Sequence, residues 1–217
     1  YEFDKMRKRI TIHLNQRSEM LSGISHDLRT PLTRLKLQLA LLKQQDLAKK
    51  MSDDIEEMER MLNEYLEFAK YQKNEETETV SLNNIIKDIT KKYENKKINF
   101  SIEENLEINV RPNSIKRCLV NLMDNGLSYG KKVEIFAKKT ANNIIILVDD
   151  DGPGIPEKEY QNVIKPFYRI DKSRGQNKSG VGLGLSIAND IIRSHGGNIS
   201  LNKSPLQGLR VKISLPL

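Results

Sequence analysis

The apolar residues in the first third of this chain recur every three or four positions, a rhythm that suits a long helix and little else. From Met20 onward, Ile24, Leu28, Leu32, Leu35, Leu39 and Leu42 line one helical face. A second stripe, Met51, Ile55, Met58, Leu62, Tyr65, Ala69 and Gln72, steps by four and three, a heptad pattern interrupted only by its polar last member. The stretch Gln45 to Lys49 separates the two. Two amphipathic helices with a short connection make an antiparallel hairpin, which cannot cover both stripes by itself and needs a second copy. Residues 1–73 are therefore expected to form a helical hairpin that doubles into a dimeric four-helix bundle.

The period changes after that. Residues 74–79 are polar and acidic and read as a linker. From residue 80 to 217 the pattern mixes helices and strands: a helix after Ser81, strands at Ile98–Ile102 and Leu106–Val110, and a helix from about Ser114. Further strands follow at Val133–Ala137 and Asn143–Asp149, then a helix from about Val181, ended by Gly196 and Gly197. The alternation of Leu209, Val211, Ile213 and Leu215 predicts a last half-buried strand. The fold class is thus α+β, a helical hairpin followed by a layered helix-on-sheet domain.

Composition narrows the function. With 217 residues, 37% hydrophobic and 30% charged, and only short apolar runs, the chain predicts soluble globular domains with no membrane span or signal peptide. The net charge of +7 is spread among acidic residues rather than gathered with aromatics, and Trp is absent, which argues against nucleic acid as a partner. The lone Cys118 lies in an apolar helical run and reads as a core thiol in a reducing compartment.

His26 stands in Ser25-His26-Asp27-Leu28-Arg29-Thr30-Pro31-Leu32, off the apolar stripe and therefore facing solvent. A neutral imidazole there is a competent nucleophile towards phosphorus, and Asp27 can hold the other ring nitrogen protonated. Thr30, four residues on, shares that face and is placed to hold a water. Pro31 bends the helix in the same turn, a feature costing about 3 kcal/mol that a merely solvated His-Asp pair does not call for.

A second group of motifs lies further on. Asn121 and Asn125 are four apart on one helix, with Arg117, Asp124 and Ser128 on the same polar stripe. Their amide oxygens suit a hard cation such as Mg²⁺. An apolar run ends in Asp149-Asp150-Asp151-Gly152-Pro153-Gly154, which delivers carboxylates into a turn where glycine permits close approach to a base. Gly180, Gly182 and Gly184 precede a helix and leave free backbone N–H groups where phosphate would sit. They fit neither the P-loop nor the Rossmann arrangement. The segment from Glu157 to Ser179, with Phe167, Arg169, Lys172, Arg174 and Lys178, reads as a lid whose cations reach phosphates on closing.

In this order, these motifs resemble the boxes of two-component sensor histidine kinases over nearly the whole chain. The Ser25–Arg34 stretch is closest to the EnvZ-like members, and Phe3 to Ile10 is similar to the end of a HAMP signalling helix. The resemblance implies that residues 1–73 form a dimerisation and histidine phosphotransfer domain and 80–217 an α/β sandwich ATP-binding domain of Bergerat (GHKL) type. It implies His26 as phosphoacceptor, Asp27 as its acid-base partner and Thr30 as the residue of phosphatase activity. Asn121, Asn125, Tyr129, Asp150, Gly152, Gly154, Phe167, Arg169, Gly180, Gly182 and Gly184 would bind ATP, with Asn125 on Mg²⁺ and Asp150 on the adenine amino group.

The partners it implies are a second copy of the chain and a response regulator with an OmpR-like receiver domain. The location it implies is the cytoplasmic portion of a bacterial inner-membrane protein, tied to the membrane only through absent upstream segments. Ser128, where such kinases often carry a basic residue, Gly126, where alanine is usual, and Ile164, in place of a phenylalanine, depart from the pattern. A direct ATPase of the gyrase, Hsp90 and MutL type would carry a water-activating glutamate where Asn121 stands, and an amide cannot abstract that proton. A non-enzymatic scaffold that binds ATP structurally would have no need of the proline-kinked His-Asp-x-x-Thr arrangement.

Overall fold

The computed structural model describes residues 28, 31–39, 47–49, 51–56, 58–59, 62, 75–93, 97–103, 106–170 and 182–217. The chain divides into two compact units, Tyr1–Glu75 and Glu76–Leu217.

In the first unit residues 31–39, 47–49 and 51–56 are helical. Leu47 to Lys49, read from sequence as part of the break, are thus helical, as Leu, Ala and Lys favour. Leu39 and Ile55, one from each apolar stripe, are 6% exposed. Lys36 Nζ donates to Glu59 Oε2 at 2.7 Å and ties the two helical runs together. Four other members of the stripes are open: Leu28, Leu35, Met51 and Met58 are 46%, 44%, 41% and 53% exposed.

The second unit begins with a strand. β1 (Glu78–Ser81) pairs antiparallel with β3 (Glu107–Val110) in a two-stranded sheet. Glu78 and Thr79, read as linker, therefore lie in a strand. Their acidic and hydroxylated character hid a pairing that depends on a segment about thirty positions away. Helix α1 (Leu82–Thr90) follows and buries Leu82, Ile85, Ile86 and Ile89 at helical spacing.

The main sheet has five strands in the order β2 (Lys97–Ile102), β4 (Lys132–Lys139), β5 (Asn143–Asp150), β7 (Leu209–Pro216), β6 (Asn198–Lys203). Only β2 and β4 run parallel. Their connection carries β3 and the long helix α2 (Pro112–Tyr129), which supplies the crossover that a parallel pair requires. Proline at the start of α2 costs no hydrogen bond, because the first helical N–H groups have no partner within the helix.

The alternation along β5 sets the layering. Ile144, Ile146 and Val148 face one side together with Ile135 of β4 and Ile213 of β7, and join one core with Leu119 and Met123 of α2. Ala188 and Ile192 of α4 (Gly184–Ser194) close the layer, and α2 and α4 pack on each other. Cys118 is in this core, where burial pushes its thiol up to about 12, as expected of a structural cysteine. Among the described residues no helix is long and apolar enough to cross a membrane.

Ile213 is fully buried in β7, with β5 on one side and β6 on the other. Ile213→Ala is expected to destabilise this unit by about 2–5 kcal/mol, read from urea denaturation followed by the sheet signal in circular dichroism.

Candidate active site

Helix α2 carries the first part of the site. Its apolar face is held in the core by Leu119, Leu122 and Met123, which leaves Asn121, Asn125 and Tyr129, spaced four apart, on the opposite stripe. Tyr129 is 47% exposed at the helix end. The Asn121 side-chain nitrogen is buried and, among the described residues, has no hydrogen-bond partner. A buried donor without an acceptor costs roughly 1–3 kcal/mol and is kept where a ligand fills the gap. Ser128, placed where the resemblance leads one to expect a cation, turns its hydroxyl back on its own helix and donates to the Asp124 carbonyl at 2.7 Å.

The N-terminus of α4 lies against that stripe. A methyl group on Gly184 would stand 3.7 Å from the Asn121 carbonyl oxygen and 4.0 Å from its Cβ. The unpaired N–H groups of the first turn of α4 thus open beside Asn121, which is the arrangement that binds anions at helix starts. Gly182, with φ of 78°, accepts a hydrogen bond from the Phe167 N–H at 3.0 Å, and a methyl there would come within 2.8 Å of the Tyr168 carbonyl. Phe167 itself is 55% exposed with φ of 63°, a left-handed conformation unusual for an aromatic residue. Arg169 is half-buried two residues further on.

The expected lid starts as ordered structure. Glu157–Glu159 is a short 3₁₀ turn and α3 (Tyr160–Val163) continues it. Glu159 Oε2 accepts from Tyr168 Oη at 2.6 Å and from Asn162 Nδ2 at 3.2 Å, which pins the base of the segment. Lys172, Arg174, Lys178 and Gly180 lie outside the described residues, as do His26, Asp27 and Thr30.

Two aspartates finish β5 and a third follows it, and each has a different partner. Asp149 forms a two-pronged ion pair with Arg210, 2.7 Å on each prong. Asp151 Oδ1 accepts from the Lys131 and Lys132 N–H groups at 2.6 and 2.9 Å, and these bonds hold its carboxyl below the usual range. Asp150, 7% exposed, accepts from the Gly152 and Leu209 N–H groups at 2.9 and 3.0 Å, both on Oδ1. Its Oδ2 accepts nothing among the described residues. It lies on the α2 side, 3.8 Å from where a Gly126 methyl would be. Burial raises the Asp150 carboxyl above its ordinary value, and the neighbouring Asp151 and Asp149 charges add to the shift against the two backbone donors.

Glycines hold the surroundings of Asp150. A Cβ on Gly152 would be 3.0 Å from Asp150 Oδ1 and 3.3 Å from Tyr129, so the turn passes directly over the end of α2. Gly154 has φ of 72°, open to glycine at little cost. Gly126 faces Val133, whose Cγ2 would be 2.8 Å from an added methyl. In this chain the valine side chain fills the space that alanine would occupy.

The structure therefore brings Asn121, Asn125, Tyr129, Asp150, Gly152, Gly182, Gly184 and Phe167 to one rim. Sequence reasoning missed Gly208 and Leu209, which close that rim beside Asp150, and Arg210, which pairs with Asp149 on the opposite face of the sheet. A Cβ on Gly208 would collide with Asp150 Oδ1 and its carbonyl oxygen. Nothing local marks these residues, since their partners lie about sixty positions earlier.

Among the described residues no three His, Cys, Asp or Glu side chains gather as a metal cage. The fit is to a ligand with two unlike ends: an anionic one for the buried amide donor and the helix start, and a hydrogen-bond donor for the open Asp150 oxygen.

Two family profiles match the chain: "His Kinase A (phospho-acceptor) domain" over residues 16–74, and "Histidine kinase-, DNA gyrase B-, and HSP90-like ATPase" over 110–217. The sensor histidine kinase GtrS of Pseudomonas aeruginosa is 37% identical over 99% of this chain and 45% of its own length. The sensor histidine kinase CpxA of Escherichia coli is 33% identical over 99% of this chain and 50% of its own. The chain thus spans about half the length of these curated relatives. Among solved structures, full-length ShkA in complex with AMPPNP superposes with a TM-score of 0.69 over 91% of this chain and 45% of that one, at 19% identity, which shows a shared fold.

Two outcomes follow from the raised Asp150 carboxyl and the closed rim. A carboxyl whose pKa is higher in the folded state is carried as the anion at a cost above that pKa, and the cost disappears below the unfolded value. Asp150→Asn is therefore expected to raise the thermal midpoint near neutral pH, with a gain that shrinks as pH falls into the ordinary carboxylate range. Gly208→Ala is expected to lower stability by about 1–3 kcal/mol through overpacking against Asp150, read from the same melting curves.

Proposed function

Because this chain belongs to the two-component sensor histidine kinase family, we propose that it binds Mg²⁺–ATP at the α2 rim and transfers the γ-phosphoryl group to His26. The observation that carries the reading is Asp150, whose Oδ1 is saturated by two backbone N–H groups while Oδ2 is left open beside the asparagine stripe. One free, fixed carboxylate oxygen suits an exocyclic amine such as that of adenine, which can donate one of its two in-plane N–H groups to it. Gly152 and Gly154 keep side chains away from that base.

Phosphate binding falls to the other end of the rim. The first turn of α4 at Gly184, together with Gly182 and Gly180, offers backbone N–H groups to the phosphates, and the orphaned Asn121 amide has an acceptor once they are present. Asn125 is assigned to Mg²⁺, which would neutralise charge on the β- and γ-phosphates while keeping several waters. Phe167 and Arg169 line the approach, with Tyr129 at the end of α2.

In the transfer itself a ring nitrogen of neutral His26 attacks phosphorus as the bond to the β-phosphate oxygen breaks and ADP leaves. Asp27 stabilises the positive charge that develops on the imidazole. The phosphohistidine then donates to an aspartate of a response regulator with an OmpR-like receiver domain. Thr30 positions a water for the separate phosphatase reaction, in which that water attacks the regulator's aspartyl phosphate and inorganic phosphate leaves. The open stripe of Leu28, Leu35, Met51 and Met58 supports a second copy as the partner of the hairpin, since apolar faces of that kind on a helical hairpin are covered by dimerisation. The whole protein is read as a membrane-anchored sensor with this portion on the cytoplasmic side.

Incubation with Mg²⁺ and γ-labelled ATP is expected to give acid-labile, base-stable label on the wild-type chain and none on His26→Gln. Steady ATP hydrolysis that persists in His26→Gln, with no label in either protein, would overturn the kinase reading. Thr30→Ala is expected to keep autophosphorylation while dephosphorylation of the regulator slows by about tenfold or more.

A further inference from the structure

We propose that Arg210, through its ion pair with Asp149 on the far face of the sheet, is a positioning residue for Asp150 and so sets base selectivity at the nucleotide site. The inference rests on the adenine reading of Asp150 given above. It concerns residues that do not touch the nucleotide.

The argument is one of register. Asp149 and Arg210 are the last paired residues of the β5–β7 ladder at this end of the sheet. One step beyond, Leu209 gives its N–H not to a backbone carbonyl of β5 but to the Asp150 side chain, at 3.0 Å. The position of Asp150 Oδ1 therefore depends on where the start of β7 sits relative to the end of β5. The two parallel 2.7 Å bonds from Arg210 Nε and a terminal nitrogen to the two Asp149 oxygens fix that offset. A planar fork on a carboxylate constrains direction as well as distance.

Successive residues of a strand point to opposite faces, so the ion pair and the adenine carboxylate stand back to back on one strand. A small shift of β7 reaches Asp150 at once, because Gly208 runs so close beside it that even a Cβ added there would collide with Asp150 Oδ1 and the Gly152 nitrogen. The turn before it is itself pinned, with Ser204 N–H donating to the Gly208 carbonyl at 2.9 Å and Gln207 N–H to the Ser204 carbonyl at 3.0 Å.

The electrostatics point the same way. Across the β4–β5 ladder Asp149 stands opposite Glu134, a like charge. Glu134 is neutralised by Lys132 at 2.5 Å, and Asp149 by Arg210. Asp149 is 1% exposed, so solvent does not screen it. Without Arg210 an unpaired carboxylate would face Glu134 across the rung and push on the very end of β5 that carries Asp150.

The test compares affinities for the adenine analogue AMPPNP and its guanine counterpart, each with Mg²⁺, by titration calorimetry on the whole chain well below its melting point. Four variants are used: Arg210→Met, Arg210→Lys, Asp149→Leu/Arg210→Met and Asp150→Asn. In the double variant the buried charge is removed together with its partner, so packing and stability are kept while the fork is lost.

Arg210→Met and the double variant are both expected to bind the adenine analogue about tenfold more weakly, with the adenine-over-guanine ratio falling by a similar factor. Arg210→Lys, which pairs at a single point, should fall between them and wild type. Wild-type affinity and selectivity in the double variant would show that Arg210 merely neutralises Asp149, and would overturn the proposal. Undiminished binding in Asp150→Asn would instead sink the adenine reading itself, and the proposal with it.

Discussion

The end of strand β5 is the constraint on which this molecule turns. Three adjacent carboxylates at the end of the central strand repel one another, and two of them are buried, so they can stand together only if each is given its own compensation. Asp149 has a guanidinium, Asp151 a pair of backbone donors, and Asp150 two donors on one oxygen with the other left open. The alternation of the strand makes the division possible, since it sends Asp149 and Asp150 to opposite faces. What stays uncompensated is a single oxygen aimed at the α2 side.

Helix α2 answers that oxygen because of how its own two faces are divided. Its apolar face, fixed by Leu119, Leu122 and Met123, decides the rotation of the helix about its axis. That rotation in turn presents Asn121 and Asn125 to the rim without any contact of their own having to hold them there. The packing of α4 on α2 then brings a helix start to the same place. The site is thus a by-product of core packing: the buried residues carry the energy and the polar ones carry the chemistry. Gly126 fits this view, as it is matched to Val133 and to the Asp150 side chain rather than to a ligand.

Much of this was legible in the chain before folding. The periodicity gave the longer helices of the second unit and four strands of the five-stranded sheet within a few residues, because burial of one face leaves its period in the sequence, whereas β6 (Asn198–Lys203) was not read as a strand. The asparagine helix and the Asp150 turn stood out, since a polar stripe inside an apolar helix and a carboxylate run before Gly-Pro-Gly are locally anomalous. Hidden features were those whose meaning depends on a distant partner. Thr79 and Val80 become a strand only opposite Ile108 and Asn109. Gly208, Leu209 and Arg210 look like an ordinary turn leading into a strand until Asp149 and Asp150 arrive beside them. Long-range pairing leaves no period, and so no trace in a window of fifteen residues.

Among the described residues, three broken local rules meet in one neighbourhood. Asn121 holds a buried donor with no acceptor among the described residues, Asp150 is a carboxylate forced above its ordinary pKa, and Phe167 takes a backbone conformation that suits glycine. Each costs free energy, and scattered over the surface each would be a separate accident. Asn121 and Asp150 share the rim of α2, and Phe167 is tied to it by its hydrogen bond to Gly182. A triphosphate whose base meets Asp150 and whose phosphates meet Asn121 would relieve two of the three at once. The strain is therefore better understood as unfilled binding capacity than as a defect in the packing, and it is the physical ground on which this rim is proposed as the site.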